Sequence, residues 1–173
     1  ISMEKNDLRK KALKSIDETI FYPSQGQTRL RSMIETRPDW CVSRQRVWGV
    51  PLPLFVNKKT GQPLRDKKII NKIADIYEEE GSNTWFTEDP QRFLGEEYSI
   101  KDYEQVKDVV EVWFDSGSTH AFCLEKRPDL KWPASMYLEG TDQHRGWFHS
   151  SLLESCGTRG KAPYESVLTH GFV

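Results

Sequence analysis

The chain has 173 residues, a length that suits one domain with a hydrophobic core and does not require two. Its formal net charge of −1 provides no overall field that attracts nucleic acid, and its three widely spaced cysteines argue against a disulfide framework and for a reducing, cytoplasmic environment. No apolar run approaches the length of a membrane span and no signal peptide is visible, so we expect no membrane partner.

The beginning of the chain predicts two amphipathic helices separated by a turn. Residues 1–3 read like the end of a strand and lack a starter methionine, so we expect the chain to be a fragment of a longer protein. Apolar residues recur at helical spacing over residues 7–19 and again over 27–36. Residues 21–26, which lie between them, are rich in turn formers and predict a break.

Basic and aromatic side chains alternate in residues 40–49. The guanidinium groups of Arg44 and Arg46 suit phosphate, and the indole of Trp48 can stack on a base. We therefore predict that these three residues bind a nucleic-acid backbone or a terminal base. The alternative is that the arginines pair with acids of the same domain and that the tryptophans are core residues.

The middle of the chain predicts an edge strand, a helix and an irregular insertion. Residues 50–56 alternate but contain two prolines, which restricts them to a sheet edge, and a turn over residues 57–61 suggests a hairpin. Residues 66–80 predict an amphipathic helix whose apolar face is formed by Ile69, Ile70, Ile73 and Tyr77. Residues 81–107 mix aromatic and charged side chains and predict a small irregular subdomain with short helices, packed on the sheet but outside it.

The last part of the chain predicts alternating strands and helices. Residues 109–115 are the most strand-like run, and residues 116–125 predict a helix. A buried strand over residues 136–138 is followed by a turn, by a helix over residues 144–156 and by a second strand over residues 166–173. This order predicts an α/β fold with flanking helices.

Polar residues and a glycine cluster where the predicted strand over residues 136–138 ends. Ligands of open α/β sheets sit just beyond the carboxyl ends of the strands, which is where Glu139, Asp142 and Gln143 fall. Gly140 lets a ligand approach the backbone, and Gln143 and Trp147 lie four residues apart on one predicted helix face. We expect a ligand with hydroxyl groups at one end and an apolar group at the other. Each residue alone also has a simpler interpretation as a helix cap, a core aromatic or a solvated acid.

Two kinds of site are not predicted. His120 and Cys123 are three residues apart, but the other ligands of a tetrahedral set are not nearby in sequence, so we predict no metal site. No convincing pair of nucleophile and base occurs, so no catalytic residue is assigned.

Four blocks resemble, in their expected order, motifs of the isoleucyl-tRNA synthetase family of class I aminoacyl-tRNA synthetases. They are Arg-Pro-Asp-Trp-Cys-Val-Ser-Arg-Gln-Arg-Val-Trp-Gly at 37–49, Val-Trp-Phe-Asp-Ser-Gly-Ser at 112–118, Leu-Glu-Gly-Thr-Asp-Gln-His-Arg-Gly-Trp-Phe at 138–148 and Leu-Thr-His-Gly-Phe at 168–172. The resemblance covers nearly the whole chain and is greatest to the bacterial form. It implies the second half of a Rossmann-like nucleotide-binding fold with a parallel sheet, as a single partial catalytic domain over residues 1–173 that follows the editing insertion. One departure is Glu111, where the family has aspartate, and this change keeps the charge.

The reaction that the resemblance implies is activation of isoleucine by ATP, with Mg²⁺, to isoleucyl-AMP, followed by transfer to tRNA(Ile). The rest of the synthetase chain is the implied partner, and no metal is expected to bind through this chain's own ligands. Glu139 would bind the adenylate at its ammonium or ribose end, Asp142 a ribose hydroxyl, and Gln143 the aminoacyl group.

The remaining implied residues would enclose the ligand. Trp113 and Trp147 would form apolar walls around the branched side chain, and His170 with Gly171 would lie near the adenine. The implied substrate-binding set is therefore Trp113, Glu139, Gly140, Asp142, Gln143, Trp147, His170 and Gly171.

Two motifs of the family that handle ATP phosphates are not found in the chain. The His-x-Gly-His motif is missing, and the Lys-Met-Ser-Lys-Ser motif would follow Val173, so we expect the chain alone to form no adenylate. Two other interpretations stay open. In the first, the chain would be a fragment of a valyl- or leucyl-tRNA synthetase, and the pocket tryptophans would distinguish these enzymes from the isoleucyl enzyme. In the second, it would be a non-catalytic tRNA-binding module that uses residues 29–46.

Overall fold

The computed structural model describes residues 1–172. Its α-helices are α1 (Leu8–Glu18), α2 (Gln25–Glu35), α3 (Lys67–Glu80), α4 (Thr84–Thr87), α5 (Pro90–Leu94), α6 (Val112–Gly117) and α7 (Trp147–Arg159). Its strands are β1 (Ile20–Tyr22), β2 (Ser43–Arg44), β3 (Phe55–Asn57), β4 (Tyr103–Gln105), β5 (Val109–Val110), β6 (Tyr137–Gly140) and β7 (Ser166–His170). None of the helices in this part of the chain is long and apolar enough to cross a membrane.

Two compact units divide the chain. The first consists of Ile1–Val42 and the segment from Val112 onward, and the second is Ser43–Glu111. Each unit has its own cluster of buried apolar side chains. The expectation of a single domain over residues 1–173 stays a prediction.

The first unit is built on a three-stranded parallel sheet in the order β1-β7-β6. Val167 of the central strand β7 lies opposite Phe21 of β1 on one side and opposite Tyr137 of β6 on the other. Parallel strands need a crossover connection, which α7 supplies between β6 and β7. The predicted α/β class, with a parallel sheet and flanking helices, is confirmed. Of the predicted last strand, Val173 lies outside the described residues.

Helix α7 lies at the centre of this unit and packs against α1 and α6. Every residue from Phe148 to Cys156 is buried, so the helix is surrounded on all sides. Serines occupy part of its circumference, and Ser151 satisfies its hydroxyl by donating to the carbonyl of Trp147 at 2.5 Å. The apolar side chains of the core include Ile16, Leu30, Phe148, Leu152 and Val167.

The helices predicted at the beginning of the chain are confirmed as α1 and α2. The break predicted over residues 21–26 is wrong at its start, because Phe21 and Tyr22 belong to β1. Three residues are too few for an alternating pattern to show, and pairing with β7 creates this strand. The end of a strand predicted over residues 1–3 is also wrong. Met3 is a buried core residue, and the amino group of Ile1 donates to the carbonyl of Trp40 at 2.7 Å.

The strand predicted over residues 109–115 is mostly wrong. Only Val109 and Val110 are extended, and α6 begins at Val112, so Trp113 lies on a helix. The predicted helix over residues 116–125 is correspondingly interrupted, since α6 ends at Gly117 and a π-helical turn covers His120–Leu124. Aromatic and β-branched residues favour strands only where packing supports them, and here α6 packs against α7 instead.

The turn and helix predicted after residue 138 are shifted. Strand β6 continues through Gly140, a 3-10 helix covers Thr141–Arg145, and α7 begins only at Trp147. Gly146 separates the two helices with φ −123° and ψ −114°. Gln143 and Trp147 therefore lie on different helices, and the expectation that they share a helix face is wrong.

In the second unit, α3 confirms the helix predicted over residues 66–80. Asp66 caps it by accepting the N–H of Lys68 at 2.8 Å. Ile69, Ile73 and Ile76 face the core, whereas Ile70 is exposed and does not belong to the apolar face as expected.

The rest of the second unit consists of short elements. Of the strand predicted over residues 50–56 only Phe55 and Val56 are extended, and β3 pairs antiparallel with β4. The predicted hairpin is confirmed: the N–H of Asn57 donates to the carbonyl of Gln62 at 2.9 Å, the N–H of Leu64 donates to that of Phe55 at 2.8 Å, and Val56 forms an antiparallel bridge with Pro63. Residues 81–107 hold α4, α5 and β4, as expected for short helices in an irregular segment. Trp85 packs edge-on against Phe55 in the core of this unit.

Candidate functional site

The carboxyl ends of two parallel strands bring together residues that lie thirty positions apart. Glu139 is opposite Thr169, and Gly140 is opposite His170. A Cβ atom built on Gly140 would lie 4.0 Å from Cε1 of His170. Glu139, His170 and the following Gly171 are exposed, so this strand edge is open to a ligand.

The two carboxylates predicted for the site are both exposed and lie on either side of Gly140. The N–H of Gly140 donates to Oε2 of Glu139 at 3.3 Å. A Cβ atom at position 140 would lie 2.6 Å from Oδ1 of Asp142. The missing side chain of Gly140 therefore accommodates the protein's own Asp142, rather than only a ligand as expected.

Gln143 connects the 3-10 helix to α7. Its Oε1 accepts the backbone N–H of Trp147 at 2.8 Å, and its Nε2 donates to Oδ2 of Asp142 at 3.3 Å. The side chain that satisfies the first N–H of α7 is therefore Gln143, not Asp142 or Thr141. The second N–H of Nε2 is left as a donor for a ligand, and the amide oxygen keeps one lone pair as an acceptor.

Trp147 is held on one face and at its only polar atom. Its ring stacks on Tyr137 of β6, with centroids 4.1 Å apart and an interplanar angle of 4°. Its Nε1 donates to the carbonyl of Ser116 at 2.9 Å. The stack therefore leaves at most the opposite, apolar face of the indole for a ligand. Sequence reasoning missed Tyr137, although a tyrosine in an otherwise apolar strand was an available signal.

Gly146 is the point at which Trp113 and Gln143 meet. A Cβ atom built on this glycine would lie 3.1 Å from Cη2 of Trp113, and it would clash with Oε1 of Gln143. Trp113 keeps 41% of its surface exposed. Its helix α6 also supplies Ser116, the acceptor of the Trp147 indole. The two tryptophans predicted for one site are thus brought to the same end of α7, and sequence reasoning missed Gly146 as the reason.

Helix α2 supports the 3-10 helix from the other side. Arg29 donates to Oγ1 of Thr141 at 3.0 Å, and Nδ1 of His144 lies 2.7 Å from the carbonyl of Thr141. A Cβ atom on Gly26 would lie 2.8 Å from Nε2 of His144, so the imidazole packs directly on the α2 backbone. Burial lowers the pKa of His144, which keeps the ring neutral with Nδ1–H as donor.

The residues predicted to bind nucleic acid lie in the second unit. Arg44 is in β2, which pairs with β5, and its guanidinium donates to the carbonyl of Ser43 at 2.9 Å. Arg46 is exposed, and Trp48 exposes 90% of its surface, so Trp48 is not a core residue. Trp40, by contrast, is buried in the core of the first unit. It is therefore not available to bind nucleic acid as part of the alternating basic and aromatic residues 40–49.

Metal-ligating side chains do not gather within residues 1–172. No group of three or more His, Cys, Asp or Glu residues in this range could hold a metal ion. The cysteines described there are free thiols.

Comparison with known proteins agrees with this fold. The sequence matches the family of class I tRNA synthetases (I, L, M and V) over residues 1–173, and the chain therefore belongs to that family. It is 70% identical over its whole length to the isoleucine–tRNA ligase of Pelagibacter ubique, of which it covers 19%. The enzymes of the same name from Brucella abortus and Caulobacter vibrioides are 60% and 53% identical over 99% of the chain, which covers 18% of each. The chain thus spans about a fifth of the length of these relatives.

Proposed function

We propose that the chain is part of an isoleucine–tRNA ligase that acts in the cytoplasm, and that it supplies the residues that bind the amino acid and the adenylate. The complete enzyme joins isoleucine to ATP as isoleucyl-AMP and transfers the aminoacyl group to tRNA(Ile). One observation carries this proposal: Trp113 and Gln143 meet over Gly146, beside the stacked indole of Trp147 and next to the edge where β6 and β7 end.

The apolar end of the ligand is assigned to the two indoles. Trp147 presents a single face because Tyr137 covers the other, and its Nε1 is occupied by Ser116. A branched aliphatic side chain against these rings is stabilised by burial, at about 0.8 kcal/mol for each buried methylene. Isoleucine therefore binds about fourfold more tightly than valine for the one methylene by which they differ.

The polar end of the aminoacyl group is assigned to Gln143. Since its oxygen accepts the N–H of Trp147, the free amide N–H faces an acceptor on the substrate, such as a carbonyl or phosphate oxygen. Holding this donor in one orientation lowers the entropy cost of positioning the reacting carboxyl group. Glu139 keeps Oε1 as an acceptor for the ligand's ammonium or ribose, because Oε2 receives the N–H of Gly140.

The nucleotide end is assigned to the strand edge. Asp142 accepts a ribose hydroxyl, and His170 with Gly171 lies near the adenine. The reaction develops negative charge on phosphorus oxygens, and Mg²⁺ bound together with ATP would supply the counter-charge in the complete enzyme. The residues described here do not form a magnesium ligand set, so we assign no step of the metal to them. That the chain by itself forms no adenylate remains a prediction, which pyrophosphate exchange tests.

The test of this proposal is a titration with a non-hydrolysable isoleucyl-adenylate analogue. We expect saturable binding, about fourfold weaker binding of the valyl analogue, and at least tenfold weaker binding after Trp113→Ala. Trp48→Ala, an equally large change at an exposed tryptophan of the second unit, serves as the control and leaves the affinity unchanged. Equal affinity for both analogues in the parent chain and in Trp113→Ala would refute the proposal.

The isoleucine assignment rather than valine or leucine draws on the relatives' names and on the paired tryptophans. Three similar proteins carry the name isoleucine–tRNA ligase, whereas the family itself also includes the leucine, methionine and valine enzymes. A leucyl or valyl analogue that binds more tightly than the isoleucyl analogue would reassign the chain.

A second role, binding of tRNA through Arg44, Arg46 and Trp48, is favoured by the exposure of Trp48. An indole with nine-tenths of its surface in solvent is available to stack on a base, which contributes about 1–3 kcal/mol. We expect Trp48→Ala to weaken binding of tRNA(Ile) at constant salt, while Trp132→Ala, at a half-buried tryptophan of the first unit, does not. Salt-dependent RNA binding that survives Trp113→Ala and Gln143→Ala would favour a non-catalytic tRNA-binding module.

A further inference from the structure

A hollow in the first unit, apart from the site described above, lies between the end of α2 and the start of α7. Its volume is about 590 Å³, and it is lined by Ser32, Met33, Thr36, Arg37, Arg145 and His149, among others. None of the substrate-binding residues assigned above lines it. It therefore requires its own explanation.

The charge of the hollow is positive. Two guanidinium groups line it, from Arg37 and Arg145, and no carboxylate does. The acids nearest in sequence to Arg37 are engaged elsewhere: Glu35 pairs with Arg31 at 3.1 Å, and Asp39 accepts the N–H of Met3 at 2.8 Å. Two positive charges in one concave surface favour an anion, and a fork of guanidinium donors matches phosphate oxygens.

The two arginines are held differently. Arg37 makes a cation–π contact with Trp40: its guanidinium carbon lies 5.3 Å from the centroid of the indole ring. Arg145 is exposed, and its side chain forms no hydrogen bond or ion pair with any residue in the range 1–172. Binding an anion would therefore not require Arg145 to give up an existing partner.

His149 forms the inner wall of the hollow. His149 is only 4% exposed, and neither of its ring nitrogens has a hydrogen-bond partner within the described chain. Burial, together with repulsion from Arg37 and Arg145, lowers the pKa of His149 to about 3. Both arginines line the same hollow as His149, so an anion bound there would face two guanidiniums.

We propose that this hollow binds a phosphate group, with Arg145 as its principal ligand and Arg37 as the second. A free or terminal phosphate carries up to two negative charges and a backbone phosphodiester carries one, and both present oxygens that match the forked donors of a guanidinium. The phosphate belongs either to an RNA backbone, a source that rests on the proposed function, or to free phosphate or a nucleotide. The shared chemistry is the same in both cases.

The first test is a titration of the chain with inorganic phosphate. Binding is monitored through the NMR chemical shifts of the His149 imidazole. We expect saturable shifts in the parent chain and at least a tenfold loss of affinity in Arg145→Gln. Ser32→Glu, which adds a carboxylate at an exposed lining position, weakens binding in the same direction. Arg127→Gln is the matched control, because Arg127 is exposed, pairs with Asp129 at 2.6 Å and does not line the hollow.

The outcome that overturns the proposal is clear from the same experiment. Shifts that do not saturate, or an affinity that is equal in the parent chain, Arg145→Gln and Ser32→Glu, would show that no phosphate site exists. Thermal unfolding of each variant establishes that it is folded. Because the two variants lower the charge of the hollow at different positions, the test stays valid if one of them does not fold.

The second test distinguishes the two sources. Binding of a single-stranded RNA of twelve nucleotides is measured over a series of salt concentrations. If the hollow holds a backbone phosphate, the slope of log affinity against log salt falls by about one in Arg145→Gln and is unchanged in Arg127→Gln. If phosphate binds but the slope is unchanged, the ligand is free phosphate or a nucleotide. If the phosphate site is refuted but the adenylate analogue still binds, the proposed function is unaffected, since Arg145 does not belong to the adenylate site.

Discussion

The side chain of Gln143 accepts the backbone N–H of Trp147 at 2.8 Å, across the break between the 3-10 helix and α7. This bond gives one residue two tasks. It satisfies an N–H at the start of the central helix, and it turns the amide N–H₂ group towards the site. The two tasks can be separated by mutation.

Gln143→Glu keeps an oxygen for the N–H of Trp147 but removes the amide donor. We expect affinity for the isoleucyl-adenylate analogue about tenfold lower. The free energy of unfolding falls by less than about 1 kcal/mol, because the new carboxylate repels that of Asp142 at an exposed position. Gln143→Ala loses both and additionally destabilises the chain by about 1 kcal/mol, as for loss of a helix cap. Urea unfolding and analogue titration measure the two effects. If Gln143→Glu binds the analogue as well as the parent chain, the amide is only a cap.

Gly146→Ala places a methyl group against Gln143 and Trp113. We expect a loss of about 1–3 kcal/mol in unfolding free energy, typical of overpacking, together with weaker binding of the analogue. Gly157→Ala, inside α7, is the control, since its Cβ atom would make only ordinary contact, 3.7 Å from Leu8. That change stabilises α7 by up to about 1 kcal/mol because alanine has the higher helix propensity. Equal effects of the two substitutions would contradict the role assigned to Gly146.

Tyr137 is expected to act as a positioning residue for Trp147. Tyr137→Phe keeps the stacked ring and removes a buried hydroxyl that has no partner in the described chain, so stability and analogue affinity are retained. Tyr137→Leu removes the stack, which lowers stability by about 1–2 kcal/mol and weakens binding of the analogue. Tryptophan fluorescence reports whether the indole moves. A Leu variant with unchanged affinity would show that Trp147 needs no such support.

The buried histidines predict that acid destabilises the chain. The pKa of His149 is about 3 in the folded chain and 6.5 in the unfolded chain. Between these pH values the unfolded chain binds one more proton at this residue than the folded chain does. The stabilisation is therefore complete above pH 6.5 and is lost as the pH falls towards 3. At pH 5 the loss from this residue is about 2 kcal/mol. Burial lowers the pKa of His120 and His144 as well, and both add to the effect in the same direction.

Unfolding free energies measured in urea at pH 7.5 and pH 5 test this prediction. His149→Gln cannot take up a proton, so its loss of stability between the two pH values should be smaller by about 2 kcal/mol than that of the parent chain. His170→Gln, at an exposed position, should leave the pH dependence unchanged. Equal pH dependence in all three proteins would mean that His149 is protonated in the folded chain.

Much of the site was accessible from the sequence because it depends on strand ends. Glu139 and Gly140 follow an apolar run, and His170 ends another, so parallel pairing alone places them at one edge of the sheet. The amphipathic helices α1, α2 and α3 were equally predictable, since their apolar spacing is local information.

What only the tertiary structure decided concerns residues whose local preference is ambiguous. Val112 and Trp113 favour a strand by type, yet packing of α6 against α7 makes them helical, and Tyr22 becomes a strand residue only by pairing with β7. The meeting of Trp113 with Gln143 depends on the absence of a side chain at Gly146, and no periodicity records such a contact. The physical reason is range: hydrophobic spacing and turn chemistry act within a few residues, whereas a contact between distant segments exists only after they pack.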